Sequence, residues 1–341
     1  MSGRISDVIS AGGPVGIISV GSPHFWSLAQ RENQEVHIIM LRSISRRKRR
    51  ELFWRYVFVM PQLALYLGLT LVPFIVALPL LFTDRIDYSD VDVNYVGFAN
   101  FTKVFTDFSV RQDYWPAMGR NAVFFVLNYA MVFVFGLSLA LLMYEIGFRG
   151  GFFTVIYLPW MISGLAVGFI VVMLFAKSTG TLNLLLLELG WIKKPIDIKV
   201  PIGPIAVLPI FVGWRTAGYN MAVFLSGLLS IPTETIEASI VDGASYRQRL
   251  TKVYFPQMIP SFIIATILCL ITSFNLFEEL LPLGALAYNK AAEFLSVLFF
   301  NYAFHGGRFA LGMTMAVVTF IPVVILGSLL QRLQRRLQYY T

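Results

Sequence analysis

The chain has 341 residues, of which 57% are hydrophobic and 13% charged, with a mean hydropathy of +0.70. That balance excludes a soluble globular domain and places the chain among polytopic membrane proteins. Its net charge of +8 would suit a nucleic-acid binder, but the basic residues crowd toward the two ends, as membrane topology requires.

Residues 1–39 mix Gly, Pro and Ser with scattered apolar residues. No charged segment followed by a long apolar one marks a cleaved signal peptide. The expectation is a disordered extension or a misplaced start, with Met40 as the natural beginning; a short surface arm against a partner subunit is the alternative. Arg46-Arg47-Lys48-Arg49-Arg50, with Arg55, directly precedes an apolar run. In that position a basic cluster reads as a positive-inside signal rather than a nucleic-acid or lipid-headgroup site. The division expected is therefore 1–50 as an N-terminal extension and 51–341 as a single transmembrane domain.

Six apolar runs follow, near 56–82, 119–144, 152–176, 203–229, 258–283 and 309–331, each about twenty residues or more and so long enough to span. The expected fold is all-α, with about six transmembrane helices. Pro73 and Pro79 are candidate kinks in the first. Between the first two runs lie Asp84, Asp87, Asp90, Asp92, Asp107 and Asp113 against Arg85, Lys103 and Arg111, so that loop is expected outside. An even number of spans then brings the basic start and the tail with Arg332, Arg335 and Arg336 to the inner side. Lys193, Lys194 and Lys199, in the second outer loop, run against this pattern. Cys269, the single cysteine, sits inside the fifth run and reads as a small buried hydrophobe; alone it excludes an intrachain disulfide or a cysteine-rich metal site.

One polar stretch interrupts the oily chain, at about 230–256. Glu237-Ala238-Ser239-Ile240-Val241 reads as a short helix with Thr233 or Thr235 as N-cap and Glu237 in the favourable first turn. Asp242-Gly243 ends it, because Gly accepts the left-handed conformation. Ser245 can cap a second helix, Tyr246 to Tyr254, which Pro256 separates from the next span. A membrane protein that keeps such a pair between spans presents it to something in the water.

No GxxxxGK[ST], HExxH or GxSxG pattern occurs, and His24, His37 and His305 are not spaced as ligands. The chain reads as a non-enzymatic membrane subunit with no metal site.

The polar stretch resembles the EAA loop of permease subunits of binding-protein-dependent ABC importers: Glu-Ala-Ala, three residues, Gly, nine residues, Ile, one residue, Leu-Pro. Glu237, Ala238, Gly243, Val253 and Phe255-Pro256 fall at that spacing, with Ser239, Val253 and Phe255 replacing the second Ala, the Ile and the Leu. Asp242-Gly243-Ala244 is similar to the carbohydrate branch, the maltose and glycerol-phosphate type. Asn94 to Phe101, Phe148-Arg149-Gly150, Tyr157-Leu158-Pro159, Trp214-Arg215 and Gly227 to Pro232 continue the resemblance, which covers roughly residues 55 to 337. Where that family often carries TGGGP after its fifth span, this chain reads Leu283 to Asn289.

The resemblance implies a type I importer fold in the bacterial inner membrane with both termini cytoplasmic. It implies a second permease, two copies of an ABC ATPase that bind ATP and Mg, and an extracytoplasmic solute-binding protein, with no cofactor in this chain. It assigns coupling to the ATPase to Glu237, Ala238, Asp242, Gly243, Ala244 and Arg247. Glu237 would meet a basic ATPase residue, and Ala238, Val241, Ala244 and Leu250 would supply an apolar docking face. Arg249 and Lys252 would add charge.

Related sugar permeases line their cavity from the end of the fifth span, which by resemblance nominates Phe274, Asn275 and Glu278; Arg215, Tyr219 and Asn220, inside the fourth span, are the matching candidates. A carboxylate at membrane depth marks a polar cavity, but Glu278 and Glu279 can equally sit in water at the outer interface. Arg215 needs a counter-charge: Glu278 within the chain, or an acidic sugar. The leading expectation is a sugar importer's permease. A permease of the same superfamily for an amino acid, peptide or phosphate ester comes next, and an ATP-independent carrier, which would need its own coupling-ion site, comes third.

Overall fold

Apolar runs of this length can satisfy their backbone in lipid only as helices, and helices are what they form. The computed structural model describes residue 48 and residues 50–87, 89–90, 93–145, 149–287 and 289–338; residues 1–47 and most of the basic cluster lie outside the described residues. The chain divides into two units, Met1–Ala77 and Leu78–Thr341. Nothing in the structure bears on the expectation for residues 1–39.

The described part of the first unit is helix, the beginning of α1 (Arg50–Phe82), with its side chains exposed on nearly every side. Leu67–Leu71 widen into a π turn just before Pro73, and Leu78–Phe82 tighten into a 3-10 turn around Pro79. Both irregularities follow from prolines that lack an N–H and crowd the carbonyl one turn back.

In the second unit α2 (Ala99–Thr106) is followed by α3 (Phe108–Glu145), whose first turn is capped by Asp107 accepting from the Ser109 and Val110 N–H groups. The third apolar run is bent by 85°: α4 (Arg149–Tyr157, continued by a 3-10 turn to Met161) meets α5 (Gly164–Phe175) at an elbow, Ile162-Ser163. Then come α6 (Thr181–Glu188), the 28-residue α7 (Ile202–Leu229), α8 (Thr233–Val241), α9 (Tyr246–Gln257), α10 (Ile259–Phe274), a 3-10 turn (Glu278–Leu283), α11 (Leu295–His305) and α12 (Phe309–Gln338).

Among the described residues, three helices (Arg50–Phe82, Phe108–Glu145, Phe309–Leu333) are long and apolar enough to cross a membrane, or five if each bent pair counts as one span. With α7, they occupy the six positions read from the sequence. α7 is long enough at 1.5 Å per residue but less oily, because it carries Arg215, Thr216, Tyr219 and Asn220 and is largely buried in the protein. The second run starts earlier than expected. The fifth is shorter, since α10 stops at Phe274 and the chain turns back through Glu278–Leu283.

Lipid is as apolar as leucine, so contact between spans depends on close packing and on buried polar bonds. α7 is the axis of both. A Cβ on Gly218 would stand 2.5 Å from the Ile156 carbonyl oxygen, and one on Gly136 2.8 Å from the Asn220 Cβ, so α3 and α4 approach α7 only through glycine. Asn121 ties three elements, its amide donating to the Ser273 carbonyl at 2.9 Å and its oxygen accepting from the Leu295 N–H at 2.8 Å. Tyr114 and Thr319 hydroxyls meet at 2.9 Å between α3 and α12. Apolar packing is centred on Met143, Met221, Phe224, Leu228 and Met258 near the polar loop, and on Val171, Leu208, Val212, Leu280 and Phe294 at the opposite side of the spans.

Candidate functional site

Two regions carry chemistry: the exposed pair α8–α9 and a cleft against α7.

α8 begins at Thr233, one turn earlier than the sequence suggested. Pro232 sits at its N-cap position, with no side-chain cap, so neither Thr233 nor Thr235 caps it, and Glu234 rather than Glu237 occupies the first turn. Its end is as read: Gly243 has φ +74°, its N–H donates to the Ile240 carbonyl at 2.9 Å, and the Ala244 N–H reaches the Ser239 carbonyl at 3.0 Å. These two bonds form the closing motif that a left-handed residue permits. Ser245 then makes a complete capping box, its N–H donating to Gln248 Oε1 at 2.8 Å while its Oγ accepts from the Gln248 N–H. α9 runs through Pro256 behind a π turn, Leu250–Tyr254, and breaks only at Met258, where the chain bends by 66° into α10. Pro260, next to the break, has no N–H to carry the helix across it.

Glu237, Ala238, Asp242, Gly243 and Arg247 are exposed and Ala244 is half-buried, so all six residues assigned to coupling stand together on one free loop. Of the expected apolar face, Ala238 and Val241 stand exposed and Ala244 is half-buried, but Leu250 is turned away. Leu250 packs with Ile236 and Val253 on the core around Tyr254 and Met258, whereas Val241 is 87% exposed and Ile240 and Tyr246 are bare beside it. Ile240, Val241 and Tyr246 therefore form the apolar surface on offer.

The cleft, about 140 Å³, lies between α3, α7, α10 and the elbow and is lined by Asn128, Trp160, Thr216, Tyr219, Asn220 and Thr272, with Val132, Leu268 and Cys269. Trp160 stacks on Tyr219 with ring centres 4.9 Å apart and planes 18° from parallel. Asn220 is held by its amide on the Thr216 carbonyl at 3.0 Å. Asn128 donates to Ser273 Oγ at 3.3 Å and Cys269 Sγ at 3.4 Å, while its Oδ1 is buried with no hydrogen-bond partner. An orphan acceptor of this kind costs roughly 1–3 kcal/mol unless something donates to it.

Arg215, one turn from Tyr219 on α7, donates through Nη2 to Glu279 Oε1 at 2.8 Å and through Nη1 to the Ile162 carbonyl at 3.3 Å. Its partner is thus Glu279, buried, and not Glu278, which is exposed. The short turn after α10 decides this: it buries Glu279 against Arg215 and leaves Glu278 exposed. Tyr219 and Asn220 line the cleft and Arg215 borders it. Phe274 instead packs toward Tyr114 and Leu298, and Asn275 is an exposed C-cap, so neither joins that lining. Asn128, Trp160, Thr216 and Thr272 escaped the sequence reading. Asn128 left a signal, a side-chain amide in the middle of an apolar run, which in lipid demands a partner.

No group of three or more His, Cys, Asp or Glu able to hold a metal occurs among the described residues.

Residues 132–338 match the family described as "Binding-protein-dependent transport system inner membrane component". The chain is 30% identical over 276 residues to a probable starch degradation products transport system permease protein of Thermoanaerobacterium thermosulfurigenes, covering 80% of this chain and 91% of that protein. It is 26% identical over 287 residues to a trehalose/maltose transport system permease protein of Thermococcus litoralis, covering 82% and 93%. Among solved structures it is similar to a chain of a bacterial ABC transporter involved in the import of the acidic polysaccharide alginate, with a TM-score of 0.67, 20% identity, and 83% and 96% of the two chains covered. At that identity the likeness shows the fold alone.

Proposed function

The chain belongs to the family of inner membrane components of binding-protein-dependent transport systems, and on that premise we propose that it passes a sugar or sugar derivative across the membrane by alternating access. The observation that carries the sugar reading is the cleft: two stacked aromatic rings beside Asn128, Thr216, Asn220 and Thr272. Aromatic faces pack on the apolar faces of sugar rings, and amides and hydroxyls serve as donors and acceptors for hydroxyl groups. The names of the relatives, permeases for starch products and for trehalose or maltose, support the same class.

The energy is supplied elsewhere. A separate ATPase subunit, present twice, binds ATP and Mg and docks on α8–α9. Glu237, Asp242 and Arg247 make its charged contacts, and Ile240, Val241 and Tyr246 make the apolar ones. Exposed ion pairs contribute about 0–1 kcal/mol each, so the apolar residues supply most of the affinity. A second permease completes the pathway, an extracytoplasmic binding protein delivers the sugar, and both termini lie in the cytoplasm with α8–α9.

The test is sugar uptake and sugar-stimulated ATP hydrolysis by the reconstituted complex, compared with Gly243→Arg. Loss of both, with the spans inserted, is the expected result; unchanged uptake in an assembled variant would make the loop a mere connector.

A further inference from the structure

One guanidinium and two carboxylates stand beside the cleft with no part in the pathway so far. Arg215 and Tyr219 are four residues apart and share a face of α7. The guanidinium carbon of Arg215 lies 5.8 Å from the centre of the Trp160 ring, which itself lines the cleft. A free guanidinium in this place would be a ready fork for a carboxylate. Its charge is already paired, because Glu279 accepts from Nη2 at 2.8 Å, and the Ile162 carbonyl accepts from Nη1 at 3.3 Å, which leaves Nε without a partner. Glu278 is close at hand as well. A Cβ on Gly164 would lie 2.8 Å from Glu279 Oε1 and 2.9 Å from Glu278 Oε2, so both carboxylates converge on that glycine. The local sum is one positive charge against two negative, and the residues lining the cleft carry none.

We propose that Glu279 is a specificity-determining residue: by occupying the Arg215 guanidinium, with Glu278 tipping the local balance negative, it restricts the pathway to uncharged saccharides and rejects those bearing carboxylates. The inference rests on reading the cleft as a sugar pathway. Its physical basis is asymmetric. A hydroxyl needs only the donors and acceptors that Asn128, Thr216, Tyr219 and Thr272 provide. A carboxylate must leave water, finds the cation already paired, and meets two like charges, which is how a site rejects a competitor without improving its contacts to the preferred ligand.

The experiment uses the intact membrane complex in detergent without the binding protein, whose own preferences would mask those of the permease. Binding is read by saturation-transfer NMR with matched probes: maltotriose, trehalose and lactose, and the same three sugars with their primary alcohols oxidised to carboxylates. The wild type should hold the neutral sugars at least about tenfold more tightly than the oxidised ones. Glu279→Gln should improve the oxidised set about tenfold, and Arg215→Gln/Glu279→Gln should abolish that gain. Glu278→Gln, at an exposed position that keeps the buried pair, should gain about threefold and keeps the test open if Glu279→Gln does not assemble. Equal binding of both sets by the wild type, or unchanged discrimination in the Glu278 and Glu279 variants, overturns the proposal and leaves the sugar reading standing. A wild type that binds neither set overturns the sugar reading and this inference with it.

Discussion

The guanidinium of Arg215 and the carboxylate of Glu279 meet at 2.8 Å across 64 residues of sequence, joining α7 to the turn after α10. The same guanidinium holds the Ile162 carbonyl at the elbow between α4 and α5, so one side chain pins three elements around the mouth of the cleft. Removing one member of a buried pair leaves the other unpaired, at about 3–5 kcal/mol. Arg215→Gln and Glu279→Gln are each expected to lower the melting temperature of the solubilised complex markedly, and the double variant to lower it by less than the sum. Strictly additive losses in thermal melting would mean the two charges are not coupled.

Gly243 holds φ +74° with open space where a Cβ would stand. The strain of a substitution there is confined to the turn, at about 1–2 kcal/mol for an ordinary L-residue. Gly243→Asn should retain most coupled ATP hydrolysis, Gly243→Ala less and Gly243→Val least, while insertion of the spans is unchanged. An activity series that ignores this order would show that the left-handed turn is not what α8–α9 transmits.

Aromatic residues near the cleft should separate by location. Trp160→Ala breaks the stack on Tyr219 and is expected to raise the half-saturation for sugar uptake by about tenfold, the equivalent of roughly 1.4 kcal/mol and within the usual range for such ring contacts. Phe274→Ala opens space against Tyr114 and Leu298 instead. It should lower thermal stability and leave half-saturation close to wild type. Transport kinetics on the two variants would decide it.

The aspartate-rich side of the molecule sets a pH window. Lys290 donates to Asp113 at 2.9 Å and Glu293 at 2.8 Å, and Tyr302 donates to Asp113 at 2.9 Å. Burial alone would lower the Lys290 pKa, but the hydrogen bonds to Glu293 and Asp113 outweigh it and raise it. Burial and then the bond to Asp113 raise Tyr302. A raised pKa contributes stability in full below the ordinary value and loses it as pH rises through the folded value, so what Lys290 and Tyr302 contribute should be lost in alkali, above about pH 10. Asp107 is lowered by the Ser109 hydroxyl and the Val110 N–H, and Asp84 by the Asn94 side chain and backbone. Their contribution is present above the usual carboxylate range and is lost as pH falls through the depressed values. Hydrogen-exchange protection of residues 83–87 and 93–113, once corrected for the intrinsic rise of exchange with pH, should therefore stay level between about pH 5 and 9, and Asp113→Asn should shift the alkaline limb.

Local chemistry alone marks the membrane class, the six apolar runs and the α8–α9 loop with Gly243 and Ser245 at its turn. Hydropathy, glycine and capping chemistry act within a few residues of where they are written, so they are legible without a fold. Packing between elements ends α10 at Phe274, turns Glu279 rather than Glu278 to Arg215, and sets Trp160 against Tyr219. It also turns Leu250 into the core and leaves Ile240 and Tyr246 bare beside the expected Val241. The first three depend on where the chain bends, at the elbow Ile162-Ser163 and after Asn275. A bend re-aims every side chain beyond it by an angle that no local pattern encodes, because it is fixed by what packs against the far arm.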